Sequence, residues 1–175
     1  KDENQRIINT LEKDIENIVL IGMPGCGKST LGKRLARKTG KRFVDMDSVI
    51  IEKAGMTIPE IFDKYGEKHF RDIESEVAAE LGKENRQVIA TGGGVILRHE
   101  NMKALSQNGR ILFIKRPLEK LAKRGRPLSK DLNTLKVMYE RRLPLYNKYS
   151  QLVINAGRDI NKNVDKMCDL LGHVK

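Results

Sequence analysis

Residues Gly22–Thr30 read GMPGCGKST, and this stretch decides the fold of the chain. It matches the phosphate-loop pattern G-x-x-x-x-G-K-[ST], follows the apolar run Ile18–Ile21 and leads into LGKRLA at residues 31–36. The order predicts a strand, a glycine-rich turn and a helix, whose backbone N–H groups and helix dipole face one anion. We therefore expect a nucleoside triphosphate site in which Lys28 reaches the β- and γ-phosphates and Ser29 ligates Mg²⁺.

Length and composition limit the class of protein. The 175 residues suit a single domain, and a hydrophobic content of 39% suits a folded core. No apolar run approaches the roughly 18 residues of a membrane span, and the first residues show no signal-peptide core. The two cysteines, Cys26 and Cys168, form no disulfide framework. We expect a cytoplasmic protein with no membrane partner.

The net charge of +11 allows two interpretations. One is nucleic-acid binding by a basic surface, and the other is a site for strongly anionic small molecules. Lysine and arginine are spread along the whole chain, and aromatic residues make up only 5%, which leaves little surface for stacking bases. These features favour small anions, and we expect no nucleic-acid partner.

Apolar runs alternate with helical patterns after residue 16. This alternation predicts an α/β fold with a doubly wound, five-stranded parallel sheet that binds ligands at the carboxyl ends of its strands. The predicted strands are about Asn17–Ile21, Arg42–Asp45, Gln87–Ala90, Arg110–Ile114 and Leu152–Ile154. The predicted helices include one from Ser48, a pair at Pro59–Lys64 and Glu67–Leu81, and one at residues 131–143 that Pro144 breaks. Residues 1–16 form a polar lead-in helix or a linker remnant, and residues 17–175 form one domain.

Two carboxylates, Asp45 and Asp47, end the second predicted strand. Residues i and i+2 of an extended segment point to the same side, so both can face the phosphate loop. One can bind Mg²⁺ directly or through water, and the other can orient a substrate hydroxyl or accept its proton. The alternative is that one of them caps the helix that follows.

Other candidates come from the helices and glycine-rich turns. Arg71 lies three residues before Glu74, which fits either an exposed ion pair or a guanidinium held ready for a carboxylate. The triplet Gly92–Gly94 ends a strand, where a ligand lying against bare backbone would explain its entropic cost. A basic segment at about residues 120–130 predicts a lid, and Arg142 either stabilises a helix C-terminus or faces the substrate.

Taken together, the motifs resemble shikimate kinase, in the nucleoside-monophosphate-kinase-like branch of P-loop kinases. The resemblance begins near residue 17 and covers the rest of the chain. It rests on residues 22–30 (GMPGCGKST), 43–47 (FVDMD), 70–74 (FRDIE), 91–94 (TGGG), 126–128 (RPL) and 142–146 (RLPLY). One departure is a short lid, because Gly125 alone separates Arg124 from Arg126.

The resemblance implies a three-layer α/β/α kinase that phosphorylates the 3-hydroxyl of shikimate with ATP and Mg²⁺, on the pathway to chorismate and aromatic amino acids. The implied catalytic residues are Lys28, Asp47 and Arg126, and the implied metal ligands are Ser29 and Asp45. ATP would contact Gly25, Cys26, Gly27, Lys28, Ser29, Thr30, Arg124 and Arg158. Shikimate would contact Asp47, Arg71, Gly92, Gly93, Gly94 and Arg142.

Two alternatives stay open beside this interpretation. A kinase of gluconate or another small metabolite would share the phosphate loop, without a specific reason for Arg71 and Arg142 as a carboxylate clamp. A non-catalytic nucleotide-binding or nucleic-acid-binding module would explain the charge, with strongly salt-dependent binding, but not Asp45, Asp47 or the glycine triplet. We expect a monomer. The polar lead-in also suggests a domain of a longer, bifunctional pathway protein.

Overall fold

The computed structural model describes residues 2–121 and 132–173 of the chain. Its strands pair in parallel in one five-stranded sheet with the order β2-β3-β1-β4-β5. The strands are β1 (Asn17–Ile21), β2 (Arg42–Asp45), β3 (Gln87–Ala90), β4 (Gly109–Lys115) and β5 (Leu152–Asn155). The predicted α/β class and all five predicted strands are confirmed.

Helices connect consecutive strands, as parallel pairing requires. They are α1 (Asp2–Ile15), α2 (Lys28–Thr39), α3 (Met46–Ala54), α4 (Ile58–Lys83), α5 (His99–Ser106), α6 (Leu132–Tyr149) and α7 (Ile160–Leu171). α3 begins two residues before Ser48. The two predicted segments of α4 do meet at a kink, where Gly66 has φ +83° and ψ 173°.

The prediction that Pro144 ends its helix is wrong. α6 continues through Pro144 to Tyr149, although proline removes one backbone hydrogen bond. The second half of this helix is held by the core, because Tyr146 is fully buried and its ring stacks on that of Phe113 at a centroid distance of 4.9 Å. Burial of a large aromatic side chain stabilises by about 2 kcal/mol or more, which offsets much of the cost of the proline.

The central strand β1 shows that helices cover both faces of the sheet. Every residue from Asn17 to Ile21 is 0% exposed, so neither face of this strand meets solvent. Among the helices that cover the sheet, α2 packs against α7, while α4 packs against α3 and α5. This is the three-layer arrangement expected for a buried parallel sheet.

The lead-in helix α1 is attached at its C-terminal end. The ammonium of Lys41 donates to the carbonyl oxygens of Lys13, Asp14 and Glu16 at 2.7–3.0 Å. Burial lowers the pKa of Lys41. No residue of α1 itself is buried.

Across the part of the chain that the structure describes, no helix is both long and apolar enough to cross a membrane.

The sheet register places three loops at one edge. Ala90 pairs with Leu20 on one side and with Asp45 on the other, so β1, β2 and β3 end at nearly the same level. The loops that follow these strands contain the phosphate-loop pattern, the Asp45–Asp47 pair and the glycine triplet. The fold therefore brings the sequence-predicted groups together at the carboxyl edge, as expected for doubly wound sheets.

Candidate active site

The phosphate loop turns directly from β1 into α2. Its last glycine, Gly27, adopts the left-handed conformation at φ 100° and precedes the first helical residue, Lys28. Lys28 as a whole is 8% exposed, and its ammonium donates to the carbonyl oxygens of Gly22 at 2.8 Å and Met23 at 2.9 Å. The cation therefore lies inside the loop that carries it, beside the N-terminus of α2, where an anion is favoured.

Asp45 links the phosphate loop to the end of β2. Its Oδ2 accepts a hydrogen bond from Ser29 Oγ at 2.9 Å. Its Oδ1 accepts from the backbone N–H groups of Asp47 at 3.0 Å and Ser48 at 3.4 Å, which makes Asp45 the N-cap of α3. The carboxylate thus performs the capping role that the sequence left open and also holds a hydroxyl of the phosphate loop.

Arg71 and Glu74 form a buried ion pair in α4. Arg71 Nη1 donates to Glu74 Oε1 at 2.8 Å, and the two side chains are 10% and 1% exposed. Arg71 Nη2 also approaches Glu67 Oε1 at 3.4 Å. The exposed ion pair that the spacing allowed is therefore ruled out. Burial raises the pKa of Glu74, and the neighbouring Arg71 guanidinium partly opposes this shift.

The glycine triplet is the meeting point of these charged side chains. A Cβ on Gly92 would lie 3.2 Å from both Asp47 Oδ1 and Glu74 Oε2. A Cβ on Gly94 would lie 2.5 Å from both Nη atoms of Arg71, and one on Gly93 would lie 3.1 Å from Arg142 Nη1. Any larger residue would displace a charged group. The chain's own side chains are thus an immediate reason for the glycines, in addition to the ligand that the sequence suggested.

Arg142 and Tyr146 face the site from successive turns of α6. Arg142 is half-buried beside the glycine triplet, whereas its neighbour Arg141 is exposed. The Tyr146 hydroxyl donates to the carbonyl of Gly93 at 2.7 Å, and burial raises the pKa of this phenol. α6 ends at Tyr149, so neither arginine lies at the helix C-terminus, and that alternative is wrong.

The remaining predicted site residues fall into three groups. Gly25, Cys26 and Thr30 lie in the phosphate loop or the first turn of α2, with the Cys26 thiol fully buried. Arg158 is exposed on the loop between β5 and α7, on the opposite side of β1 from the glycine triplet. Arg124, Arg126 and almost all of the predicted lid lie outside the described residues.

Two contributions could not be assigned from the sequence pattern. Tyr146 holds the carbonyl of Gly93, and Pro24 of the phosphate loop lies 2.8 Å from the position that a Cβ on Gly93 would take. The four-residue spacing of Arg142 and Tyr146 was the available signal, since residues i and i+4 share one helix face. Because the helix was predicted to end at Pro144, Tyr146 fell outside the predicted helix and this spacing was not used.

A phosphate loop, a carboxylate beside its serine and a charged pocket at the adjacent strand end define a kinase of the P-loop class. The comparisons with known proteins give the family. The model of the family described as "Shikimate kinase" matches residues 24–171. The chain belongs to the shikimate kinase family.

Curated relatives and solved structures agree with this assignment. A shikimate kinase of Clostridium botulinum (strain Eklund 17B / Type B) is 42% identical over 155 residues, which cover 86% of this chain and 93% of the relative. One from Thermodesulfovibrio yellowstonii is 46% identical over 142 residues, covering 77% and 82%. The structure of the Acinetobacter baumannii shikimate kinase in complex with shikimate matches with a TM-score of 0.87 and 33% identity, covering 95% of this chain and 99% of that one.

A gluconokinase structure also matches, at a lower level. The enzyme from Sinorhizobium meliloti aligns with a TM-score of 0.56 and 16% identity over 90% of this chain and 91% of that one. At this identity the likeness shows a shared fold alone.

Proposed function

We propose that this chain transfers the γ-phosphoryl group of ATP to the 3-hydroxyl of shikimate. The product would be shikimate 3-phosphate, on the route to chorismate and the aromatic amino acids. Membership of the shikimate kinase family supports the reaction, and the site supports the assignment of roles to particular residues.

One observation carries the proposal: the phosphate loop touches the acceptor pocket. Pro24 lies 2.8 Å from the position of a Cβ on Gly93, while Arg71, Arg142, Asp47 and Glu74 surround the same glycine triplet. A phosphate bound in the loop and an acceptor bound at the triplet would therefore be neighbours. Holding two reactants in contact supplies much of the rate enhancement of phosphoryl transfer.

The polar groups of the pocket suit an acid that also has hydroxyl groups. Arg71 is held by Glu74 at 2.8 Å and by Glu67 at 3.4 Å, which orders its guanidinium and leaves its remaining N–H groups for a carboxylate. Arg142 would grip the same carboxylate from α6. Asp47 would bind the reacting hydroxyl and orient it or accept its proton. Gly92, Gly93 and Gly94 would line the ring of shikimate.

The oxygen donors of Ser29 and Asp45 fit Mg²⁺. They lie 2.9 Å apart, and a hydroxyl with one carboxylate is the kind of sparse oxygen set that binds Mg²⁺ together with substrate phosphates. Mg²⁺ bound there would neutralise charge on the β- and γ-phosphates. Lys28 and the N–H groups of Gly25, Cys26, Gly27 and Thr30 would bind the phosphates themselves.

The lid arginine completes the proposal. Arg126 would neutralise charge on the transferring group as Lys28 does, and Arg124 and Arg158 would lie near the nucleoside. These three assignments stay predictions from the resemblance.

Because every proposed acceptor group belongs to one chain, we expect a monomer to be active. The two free cysteines are both buried, which suits a reducing cytoplasmic compartment.

The test is ADP release from ATP and Mg²⁺ with shikimate, with gluconate and with no acceptor. We expect a large stimulation by shikimate alone. Gluconate is included because it shares the carboxylate and hydroxyl chemistry. Stimulation by gluconate in place of shikimate, or by neither acid in a protein that binds ATP, would overturn the assigned acceptor.

A further inference from the structure

Tyr146 places a buried hydroxyl at the acceptor pocket, and the proposed function assigns it no role. The residue is fully buried, and its ring stacks on that of Phe113, which fixes the direction in which the hydroxyl points. The hydroxyl donates to the carbonyl oxygen of Gly93 at 2.7 Å. Packing alone needs only the ring, and burying a hydroxyl costs free energy unless it is hydrogen-bonded. The hydroxyl therefore needs an explanation of its own.

The proton of this hydroxyl can serve one acceptor. Two acceptors lie within reach, the carbonyl oxygen of Gly93 at 2.7 Å and the sulfur of Met23 at 3.9 Å. The carbonyl oxygen is both the nearer and the stronger acceptor, so it takes the proton. Burial raises the pKa of the phenol, so the proton stays in place through the neutral pH range. The lone pairs of the hydroxyl oxygen are then left to accept from a donor.

Arg142 supplies such a donor from the previous turn of α6. Residues four apart lie on one face of a helix, and a guanidinium has N–H donors but no acceptor. The Arg142 guanidinium approaches the Tyr146 hydroxyl closely enough to donate to it, and this contact opposes the rise in the phenol pKa. Arg142 Nη1 also lies 3.1 Å from the position that a Cβ on Gly93 would take. The contacts therefore run in one direction, from Arg142 to Tyr146 and from Tyr146 to Gly93.

The two arginines of the pocket are held in different ways. Arg71 is paired with the carboxylates of Glu74 and Glu67, whereas Arg142 forms no ion pair among the residues that the structure describes. A neutral hydroxyl can order a guanidinium without competing, as a carboxylate would, for the charge that a bound acid needs. Ordering matters because a free arginine side chain loses conformational entropy when a ligand fixes it.

We propose that Tyr146 is a positioning residue of the acceptor pocket, whose hydroxyl is anchored on Gly93 and holds the Arg142 guanidinium in place for the carboxylate of the acceptor. This inference rests on the proposed function, in which Arg142 binds that carboxylate. Tyr146 itself touches neither the acceptor nor the transferring phosphate in this arrangement. Its hydroxyl should therefore affect the affinity for the acid and leave the chemical step nearly unchanged.

The experiment removes the hydroxyl alone, in Tyr146→Phe, which keeps the ring and its stacking. Calorimetry measures the dissociation constants of shikimate and ATP, and steady-state kinetics measures kcat and the KM of each substrate. The matched control is Tyr149→Phe. It removes a hydroxyl of the same helix that lies 3.1 Å from His99 Nδ1, outside the site.

In Tyr146→Phe, the dissociation constant and the KM of shikimate should rise about tenfold, because the guanidinium loses its hydrogen-bond acceptor. The value of kcat and the dissociation constant of ATP should change by less than about threefold, which is the pattern of a lost binding interaction. Tyr149→Phe should match the wild type in all of these constants. Unchanged ATP binding also shows that the variant is folded.

A double-substitution cycle with Arg142→Met tests whether Tyr146 acts through Arg142. Methionine fills part of the space of the arginine side chain and has no N–H donor. Adding Tyr146→Phe to Arg142→Met should then raise the dissociation constant of shikimate by less than about twofold. A hydroxyl that acted only by supporting Gly93 would give the same tenfold loss with or without Arg142.

Arginine side-chain NMR of the wild type without substrate tests the contact independently of any variant's folding or binding. A guanidinium held by a hydrogen bond rotates slowly about its C–N bonds, so the assigned Arg142 should show separate Hη signals. The exposed Arg141 is the internal control and should show averaged signals.

Shikimate affinity in Tyr146→Phe within twofold of wild type would overturn the proposal. So would an equal loss with and without Arg142, or averaged Hη signals from Arg142 in the wild type. Equal weakening of shikimate and ATP binding would assign the Tyr146 hydroxyl to packing alone. Failure of the wild type itself to bind shikimate would instead contradict the proposed function.

Discussion

The two sides of the phosphate loop differ in how firmly their functional side chains are held. On the acceptor side, Arg71 and Glu74 are buried against each other, and every glycine of Gly92–Gly94 lies against a charged group. On the other side of the loop, at the ends of β4 and β5 where the proposed nucleoside would lie, Arg158 is exposed and Arg116 is only half-buried. The side chains on the acceptor side are therefore held in place before any ligand binds, whereas Arg158 on the nucleoside side is left exposed to solvent.

This difference predicts where substitutions act. A preorganised site spends little free energy on ordering its groups when the ligand binds, so disturbing it costs affinity or turnover directly. Substitutions of exposed side chains usually have small effects. Substitutions at the ends of β2 and β3 should therefore have larger effects than equivalent substitutions at the ends of β4 and β5.

The largest expected effect is on turnover in Asp47→Asn. Loss of a carboxylate that orients or deprotonates the acceptor hydroxyl should lower kcat by about 100-fold or more. ATP binding, measured by calorimetry, should be unchanged, because Asp47 lies at the glycine triplet beside Gly92. Asp63→Asn, an exposed change in α4, is the control. Wild-type turnover in Asp47→Asn would remove this residue from the mechanism.

The next effect is on acceptor affinity in Arg71→Lys. Lysine keeps the charge near Glu74 but loses the planar fork, so the dissociation constant of shikimate should rise about 30-fold. Arg98→Lys makes the same replacement in an arginine that pairs with Asp72, outside the site, and should leave the constant unchanged. An unchanged shikimate affinity in Arg71→Lys would contradict the carboxylate clamp.

A matched pair of glycine substitutions tests the comparison itself. Gly94→Ala places a Cβ 2.5 Å from the Arg71 guanidinium, so it should weaken shikimate binding about tenfold by displacing that group. Gly157→Ala places a Cβ 3.8 Å from Asn163 Oδ1, an ordinary contact, and should leave ATP binding within about twofold of wild type. Equal losses in the two variants would show that both sides are equally rigid.

The smallest effect is a pH dependence of stability. Burial raises the pKa of Glu74 in the folded protein, so the folded state keeps this proton to higher pH than the unfolded chain does. The stability that the group contributes at low pH is lost as the pH rises through the folded pKa. Between about pH 4 and pH 7, the free energy of unfolding of wild type relative to Glu74→Gln should fall by about 1 kcal/mol.

Chemical denaturation across this pH range measures the difference. Glu76→Gln, an exposed change in the same helix, should track the wild type at every pH. A constant difference between wild type and Glu74→Gln would mean that Glu74 has the same pKa in the folded and unfolded states.

Much of this fold could be predicted because its signals are local. The strands are apolar runs bounded by polar residues, and the phosphate loop is a contiguous pattern at the end of one of them. The Asp45–Asp47 pair and the glycine triplet were predictable as candidate site residues for the same reason, and the structure brings them together. Parallel strands then bring such endings to one edge of the sheet.

The state of individual side chains could not be predicted in the same way. The spacing of Arg71 and Glu74 is the same for an exposed pair and a buried one, and packing of α4 decides between them. Pro144 predicted a helix end, but burial of Tyr146 keeps the helix intact.

The measurement that tests the account most directly is a calorimetric titration with shikimate in the absence of nucleotide. A preformed acceptor side predicts saturable binding at one site, with an affinity within about tenfold of that measured with ADP present. Gluconate should give no comparable heat. Shikimate binding that appears only after the nucleotide is added would contradict the preformed pocket, and equal binding of gluconate would contradict its specificity.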